Sequence, residues 1–261
     1  MTTPAPVSPP AAAGGSASEL LALVRDSDTV ELKTVVADSQ HRSAVDALGM
    51  DALDAEIRQV FFLDTEDLGL SARGIVLRTR RMQRDGGDSI VKLRPVVPRE
   101  LPRGLRETSG FGVEVDAMPG GYVCSGTLKH RLSAARVRET VTGERRLRKL
   151  FTKDQRALLA EHGVRSSDLD GLTVLGPVFV LKLRFTPGAF GRKLVAEMWL
   201  YPDGSRLLEL STKCPPTEAF EVAAHTRAFL EERGVDLTVE QHTKTRHALT
   251  VLSAERRPGT D

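Results

Sequence analysis

Alternation of period two recurs along most of the chain, and its polar positions draw on a narrow set of residues. A strand sends successive side chains to opposite faces. In residues 29–36, TVELKTVV, Val30, Leu32, Thr34 and Val36 share one face while Glu31 and Lys33 share the other. Residues 56–64 form a more apolar strand that breaks at Asp64-Thr65-Glu66-Asp67, whose short polar side chains favour a turn. The chain resumes at 75–80, where Ile75, Leu77 and Thr79 oppose Val76, Arg78 and Arg80. Arg84-Asp85-Gly86-Gly87-Asp88 supplies hairpin chemistry, and the return strand 89–96 sets Lys92 and Arg94 beside Ile90.

The same grammar continues downstream. Strand 111–118 carries Glu114 and Asp116 on one face, and strand 122–130 alternates Ser125, Thr127 and Lys129. Strand 178–185 repeats VKLR as LKLR, with Lys182 and Arg184 together. A second hairpin turns at Pro202-Asp203-Gly204. Its outgoing strand 194–201 aligns Glu197 with Trp199 and Tyr201, and its return strand 206–213 aligns Leu207, Glu209, Ser211 and Lys213.

Helical spacing interrupts these strands. Short helices are predicted at 19–25 and at 39–48, the latter capped by Ser39 and stopped by Gly49. A long one is predicted over 133–162 before Gly163, and another runs to Gly234 with Thr217 as its cap. The basic run 145–149 reads as a solvated helix face. Lys244 and Arg246 fall on alternate residues of 236–252. Residues 1–18 have too little apolar bulk to offset ordering entropy and read as a flexible tail. One domain then covers 19–252, with 253–261 frayed.

These elements define an α+β fold. Strand after strand has one charged and one apolar face, and apolar helix stripes are available to cover the apolar side. The arrangement expected is a closed antiparallel β-barrel with a charged lumen and helices packed outside. A wide sheet with one charged face in water is the competing architecture. In the barrel, Lys33, Arg78, Arg80, Lys92, Arg94, Lys129, Lys182, Arg184, Lys213 and either Lys244 or Arg246 face Glu31, Glu114, Asp116, Glu197 and Glu209. So many enclosed cations repel one another without a counter-anion. Guanidiniums on alternate residues grip phosphate oxygens in a fork, which makes a triphosphate the natural anion. The carboxylates exceed what an anion trap needs, and they suit Mg²⁺ or Mn²⁺ bridging the phosphates.

Composition narrows the partners. The 261 residues hold Lys+Arg 37 against Asp+Glu 35, a net +2 that is small for a general or sequence-specific nucleic-acid binder. No stretch approaches the ~20 apolar residues of a membrane span. The N-terminal residues lack a basic segment followed by an apolar one, so no secretory signal is expected. Cys124 and Cys214 lie far apart without metal-ligand spacing and read as reduced thiols of a cytoplasmic protein.

The stretch FFLDTEDLGLSARGIVLRTRR resembles the segment that joins two tunnel strands in the CYTH, or triphosphate tunnel metalloenzyme, superfamily. VELK resembles that family's Glu-x-Glu-x-Lys, and VKLR, VEVD, VLKLR and LLELSTK follow in its order across 29–213. The resemblance implies an eight-stranded antiparallel tunnel and metal-dependent hydrolysis of an inorganic or organic triphosphate. A class IV-type adenylyl cyclase and a non-catalytic polyphosphate- or nucleotide-binding protein are the alternatives. It further implies that Lys33, Arg78, Arg80, Lys92, Arg94, Lys182 and Arg184 grip phosphate, with Lys129 and Lys213 added by alternation. Glu31, Glu114, Asp116, Glu197 and Glu209 would serve the metal, and Glu31 or Glu209 would orient the attacking water. Two positions depart from the family pattern: Thr29 and Ser211 stand where it has glutamates.

Overall fold

The structure, a computed structural model, describes residues 17–84, 86–238, 241 and 244–255. Nine strands close into one barrel: β1 (Thr29–Val36), β2 (Glu56–Asp64), β3 (Ile75–Met82), β4 (Gly86–Leu93), β5 (Phe111–Met118), β6 (Gly121–Leu132), β7 (Thr173–Phe185), β8 (Leu194–Leu200) and β9 (Arg206–Cys214). Around the ring the order is β1-β5-β6-β4-β3-β2-β7-β8-β9. Every pairing is antiparallel except that of β1 with β5. This corrects the expected eight-stranded antiparallel tunnel, and the reason is parity. A closed ring of alternating directions needs an even number of strands, so nine strands force one parallel contact.

Eight helices accompany the barrel: α1 (Ala17–Asp26), α2 (His41–Ala47), α3 (Gly69–Ala72), α4 (Arg103–Arg106), α5 (Ala134–Val141), α6 (Lys153–Glu161), α7 (Ala219–Glu232) and α8 (Lys244–Glu255), counted among the described residues. The expected helix over 133–162 is two helices. Gly143, at φ 85°, ends the first, and Leu147–Leu150 forms a 3-10 turn where a solvated basic helix face was expected. Thr152 and Gln155 then cap α6 reciprocally. The predicted caps Ser39 and Thr217 both fall inside 3-10 turns that precede α2 and α7. At the N-terminus the expected tail is cut short by α1, which begins at Ala17; residues 1–16 and 256–261 lie outside the described residues.

The apolar strand faces point outward, under the helices. Ile75, Leu77, Val91, Leu93 and Leu128 pack beneath Val137 of α5 and Leu158 and Leu159 of α6. Val36, Leu208 and Leu210 pack against Ala44 of α2 and Phe229 and Leu230 of α7. Val113, Val115 and Cys124 meet Val24 of α1 and Val222 of α7. Cys124 and Cys214 are both buried and unpaired.

One helix behaves differently. Ala248, Leu249, Val251 and Leu252 of α8 pack on Val60, Phe62, Val76, Val180, Trp199 and Leu207, residues whose alternation places them on the lumen face. The helix therefore stops one end of the barrel with apolar side chains. Lys244 and Arg246, expected on alternate residues of 236–252, lie in this helix instead. The turn at Asp64 is also a brace. Its carboxylate accepts the backbone N–H groups of Thr65 (2.8 Å), Leu70 (2.8 Å) and Ser71 (3.0 Å), which fixes the β2–β3 connection.

Candidate functional site

Inside the barrel lies a cavity of about 380 Å³, within the range of small-molecule sites. All fourteen residues predicted from the sequence line it: Glu31, Lys33, Arg78, Arg80, Lys92, Arg94, Glu114, Asp116, Lys129, Lys182, Arg184, Glu197, Glu209 and Lys213. Arg58, Asp88, Arg131 and Lys244 join them, which makes twelve lysines and arginines against six carboxylates. The tunnel arrangement holds, and the one-sided charged sheet does not.

Register explains how the charges meet. The parallel β1–β5 contact sets Glu31 opposite Asp116, and β1–β9 sets Glu31 opposite Lys213. One oxygen each from Glu31, Glu114 and Asp116 lies within 4.8 Å of the others. Like charges directly opposite destabilise a sheet unless cations intervene. Here Lys33 is 2.8 Å from both Glu31 and Asp116, Lys92 donates to Asp116 at 2.9 Å, and Lys213 pairs with Glu114. Thr29 donates to Glu114 at 3.3 Å.

The protonation tendencies follow. Burial alone would raise Glu31, but Lys33, Lys213 and Lys244 outweigh it and hold the carboxyl at about 2. Burial is likewise overcome at Asp116 by Lys33 and Lys92, which keep it well below the carboxylate range. Glu114 is pushed up, by burial and then by its neighbours Glu31 and Asp116. Three oxygens so crowded fit a hard divalent cation, which takes anionic oxygen ligands.

A second acid pair sits across β8 and β9, where Glu197 faces Glu209 and Lys182 faces Glu197. Lys182 donates to Glu197 at 2.6 Å, and Lys244 bonds both Glu197 and Glu209, the latter at 2.6 Å. Burial lowers Lys182 to about 8, with Glu197 offsetting part of the effect.

The β3–β4 wall is different. Arg80 grips Asp88 in a fork, Nε at 2.9 Å and Nη2 at 2.5 Å, and Lys129 lies 3.2 Å from the same carboxylate. Arg78, one alternation step away, has no hydrogen-bond or ion-pair partner among the described residues, and its Nε is buried. Arg94 likewise pairs with no described carboxylate. Burial, and then the adjacent Arg80 and Arg94, lower Arg78 to about 10 despite Asp88 and Glu197, so it stays charged at neutral pH. Arg58 pairs with Glu56, and Arg184 lies 3.9 Å from that carboxylate.

Three lining charges, Asp88, Arg58 and Arg131, lie outside what the sequence pattern indicates, for separate reasons, and Lys244 is the one of the two alternatives Lys244 and Arg246 that lines the cavity. Asp88 was placed in a turn, whereas β4 begins at Gly86 and carries it in step with Ile90 and Lys92. Arg58 belongs to a strand whose later lumen positions are apolar, which masked its face. Arg131 lies one step beyond the predicted end of its strand. Lys244 enters from a helix, where strand alternation carries no information.

No family model and no curated protein matches the sequence. Solved structures do match in fold. A candidate adenylyl cyclase from Hippeastrum, HpAC1, described as revealing a dominant triphosphatase activity, superposes with a TM-score of 0.64 at 18% identity, covering 85% of this chain and 95% of that one. A candidate adenylate cyclase from Bacillus halodurans superposes at 0.60 with 13% identity, covering 85% of this chain and 97% of its own. The chain thus has the CYTH, or triphosphate tunnel, fold. No helix among the described residues is long and apolar enough to cross a membrane.

Proposed function

We propose that this chain hydrolyses a triphosphate held in the lumen, with the help of one divalent metal ion. The observation that carries the reading is the pairing pattern. Arg78 and Arg94 face the cavity without carboxylate partners, while Glu31, Glu114 and Asp116 converge across it. A polyanion bridging those two regions satisfies both. Arg78 and Arg94, with Arg80, Lys92, Lys182 and Arg184, hold the phosphate oxygens by charge-assisted hydrogen bonds. Lys33, Lys129 and Lys213 complete the cationic wall and neutralise charge that develops at the transferring phosphoryl group.

Glu31, Glu114 and Asp116 hold the metal. The all-oxygen donor set suits Mg²⁺ or Mn²⁺, which supplies Lewis-acid stabilisation of phosphate charge when bound. Glu31 and Glu209 orient the water that attacks the terminal phosphorus in line. The bond from the terminal phosphorus to its bridging oxygen breaks, the water's proton passes to the orienting carboxylate, and the products are orthophosphate and the leaving diphosphate, inorganic or organic.

The cyclase reading draws on the names of the structural neighbours and needs a platform for adenine. Trp199 is the single aromatic side chain among the described lining residues. It is 2% exposed, with the Lys244 ammonium 5.6 Å from its ring centre. That leaves no open ring face for a base and favours hydrolysis.

The test is product release from inorganic and nucleoside triphosphates with Mg²⁺ and Mn²⁺, wild type beside Glu209→Gln. Hydrolysis by wild type and a loss of about 10²–10⁴-fold in the variant are expected, the range for a positioned proton acceptor. Cyclic AMP formation would select the cyclase reading. Tight triphosphate binding with no turnover of any substrate would select a binding protein.

A further inference from the structure

The two acid pairs of the lumen are neutralised in different ways. Glu31 and Asp116 are bridged by Lys33 of the barrel wall itself, Lys92 adds a second ammonium at Asp116, and a third carboxylate, Glu114, crowds them. Glu197 and Glu209 have no third carboxylate beside them among the described residues. Their shared counter-charge is Lys244, the first residue of α8, whose ammonium bonds both.

Lys244 is held in that place from several sides. Tyr201 donates its hydroxyl to the Lys244 carbonyl at 3.4 Å, and the Trp199 ring flanks the ammonium. Downstream, the apolar face of α8 is anchored in the barrel end. The Lys244 side chain is 16% exposed, whereas Lys213, which serves the first acid cluster, is 55% exposed and has room to swing aside.

We infer that Lys244 is a built-in second cation of the site: it occupies the position between Glu197 and Glu209 that a second divalent ion would take, so the lumen binds one metal and not two. This rests on the metal-dependent reading above. An ammonium fixed by helix packing supplies one positive charge without a dissociation equilibrium, and it leaves Glu31, Glu114 and Asp116 as the single exchangeable cation site.

The experiment counts Mn²⁺ per chain by equilibrium dialysis, reading free ion by electron paramagnetic resonance, for wild type, Lys244→Met and Lys244→Arg. One ion is expected in wild type and in Lys244→Arg, and two in Lys244→Met. Two ions in wild type or in Lys244→Arg overturn the inference, and these counts decide it even if Lys244→Met fails to fold by circular dichroism. One ion in a folded Lys244→Met also overturns it while leaving the metal-dependent reading intact. No ion in any of the three overturns both.

Discussion

The β3–β4 wall and the β1–β5 seam enclose the same cavity, yet they solve the problem of enclosed charge in opposite ways. At the seam every carboxylate of the cluster has an ammonium: Lys33, Lys92 and Lys213 neutralise Glu31, Glu114 and Asp116. On the wall Arg80 is satisfied by Asp88, while Arg78 and Arg94 are not satisfied by any described side chain. Charge at the seam supports the folded state. Charge on the wall is held against its own repulsion and becomes favourable when an anion arrives. If the wall takes the anion proposed above, stability and binding are written on different sides of one barrel, and substitutions should separate them.

The largest effect is expected at the seam. Asp116→Ala strips Lys33 and Lys92 of their shared partner. Breaking a buried ion pair from one side costs about 3–5 kcal/mol, readable as a lower midpoint in urea denaturation of the ligand-free protein. An unchanged midpoint would erase the distinction between seam and wall.

On the wall the expected signs reverse. Arg78→Ala and Arg94→Ala should each weaken triphosphate binding by roughly 1.5–3 kcal/mol, the cost of a lost charged hydrogen bond. The ligand-free protein should be no less stable, because a repelling cation has gone. Calorimetric titration beside thermal melting checks both halves. Equal affinity in both variants would remove these arginines from the site.

The smallest effect is a pH limb. Lys182 titrates near 8 in the folded protein against its usual 10.5. Between those values the unfolded chain binds more protons, so this residue makes stability rise with pH there. Phosphate affinity moves the other way, because the ammonium that meets the anion is lost above pH 8. Its fall should approach tenfold per unit at the limit and should be absent from Lys182→Met. A limb that survives in that variant would assign the titration elsewhere.

Much of this architecture was legible because alternation is a strong signal when the polar face is uniformly charged. VELK, VLRTR, VKLR, VEVD and LKLR each fixed which residues point inward, and all of these strands form. What alternation cannot carry is neighbourhood. The pairing of Glu31 with Asp116 spans a long sequence gap and depends on the parallel contact that nine strands impose. The role of α8 was hidden for a related reason. Its apolar residues look like any core helix, and only the barrel end they fill makes Lys244 a lumen residue. Which cations keep partners was also illegible, since Arg78 and Arg80 are equivalent in the sequence and differ only through Asp88 across the hairpin.

The parallel seam also orders events in time. β1 is the first strand made, and its two neighbours are β5 and β9, the latter the last strand of the barrel. During synthesis β1 waits with both edges bare while hairpins β2–β3 and β3–β4 form from local contacts. Bare edges are templates for pairing with other chains. A ribosome-stalled or truncated chain that ends before β9 would carry an open barrel with β1 exposed along one side, a species prone to self-association. The acid cluster between β1 and β5, closed against β9, would then be the last part of the lumen to assemble, so a nascent chain completes this cluster only when the whole ring is closed.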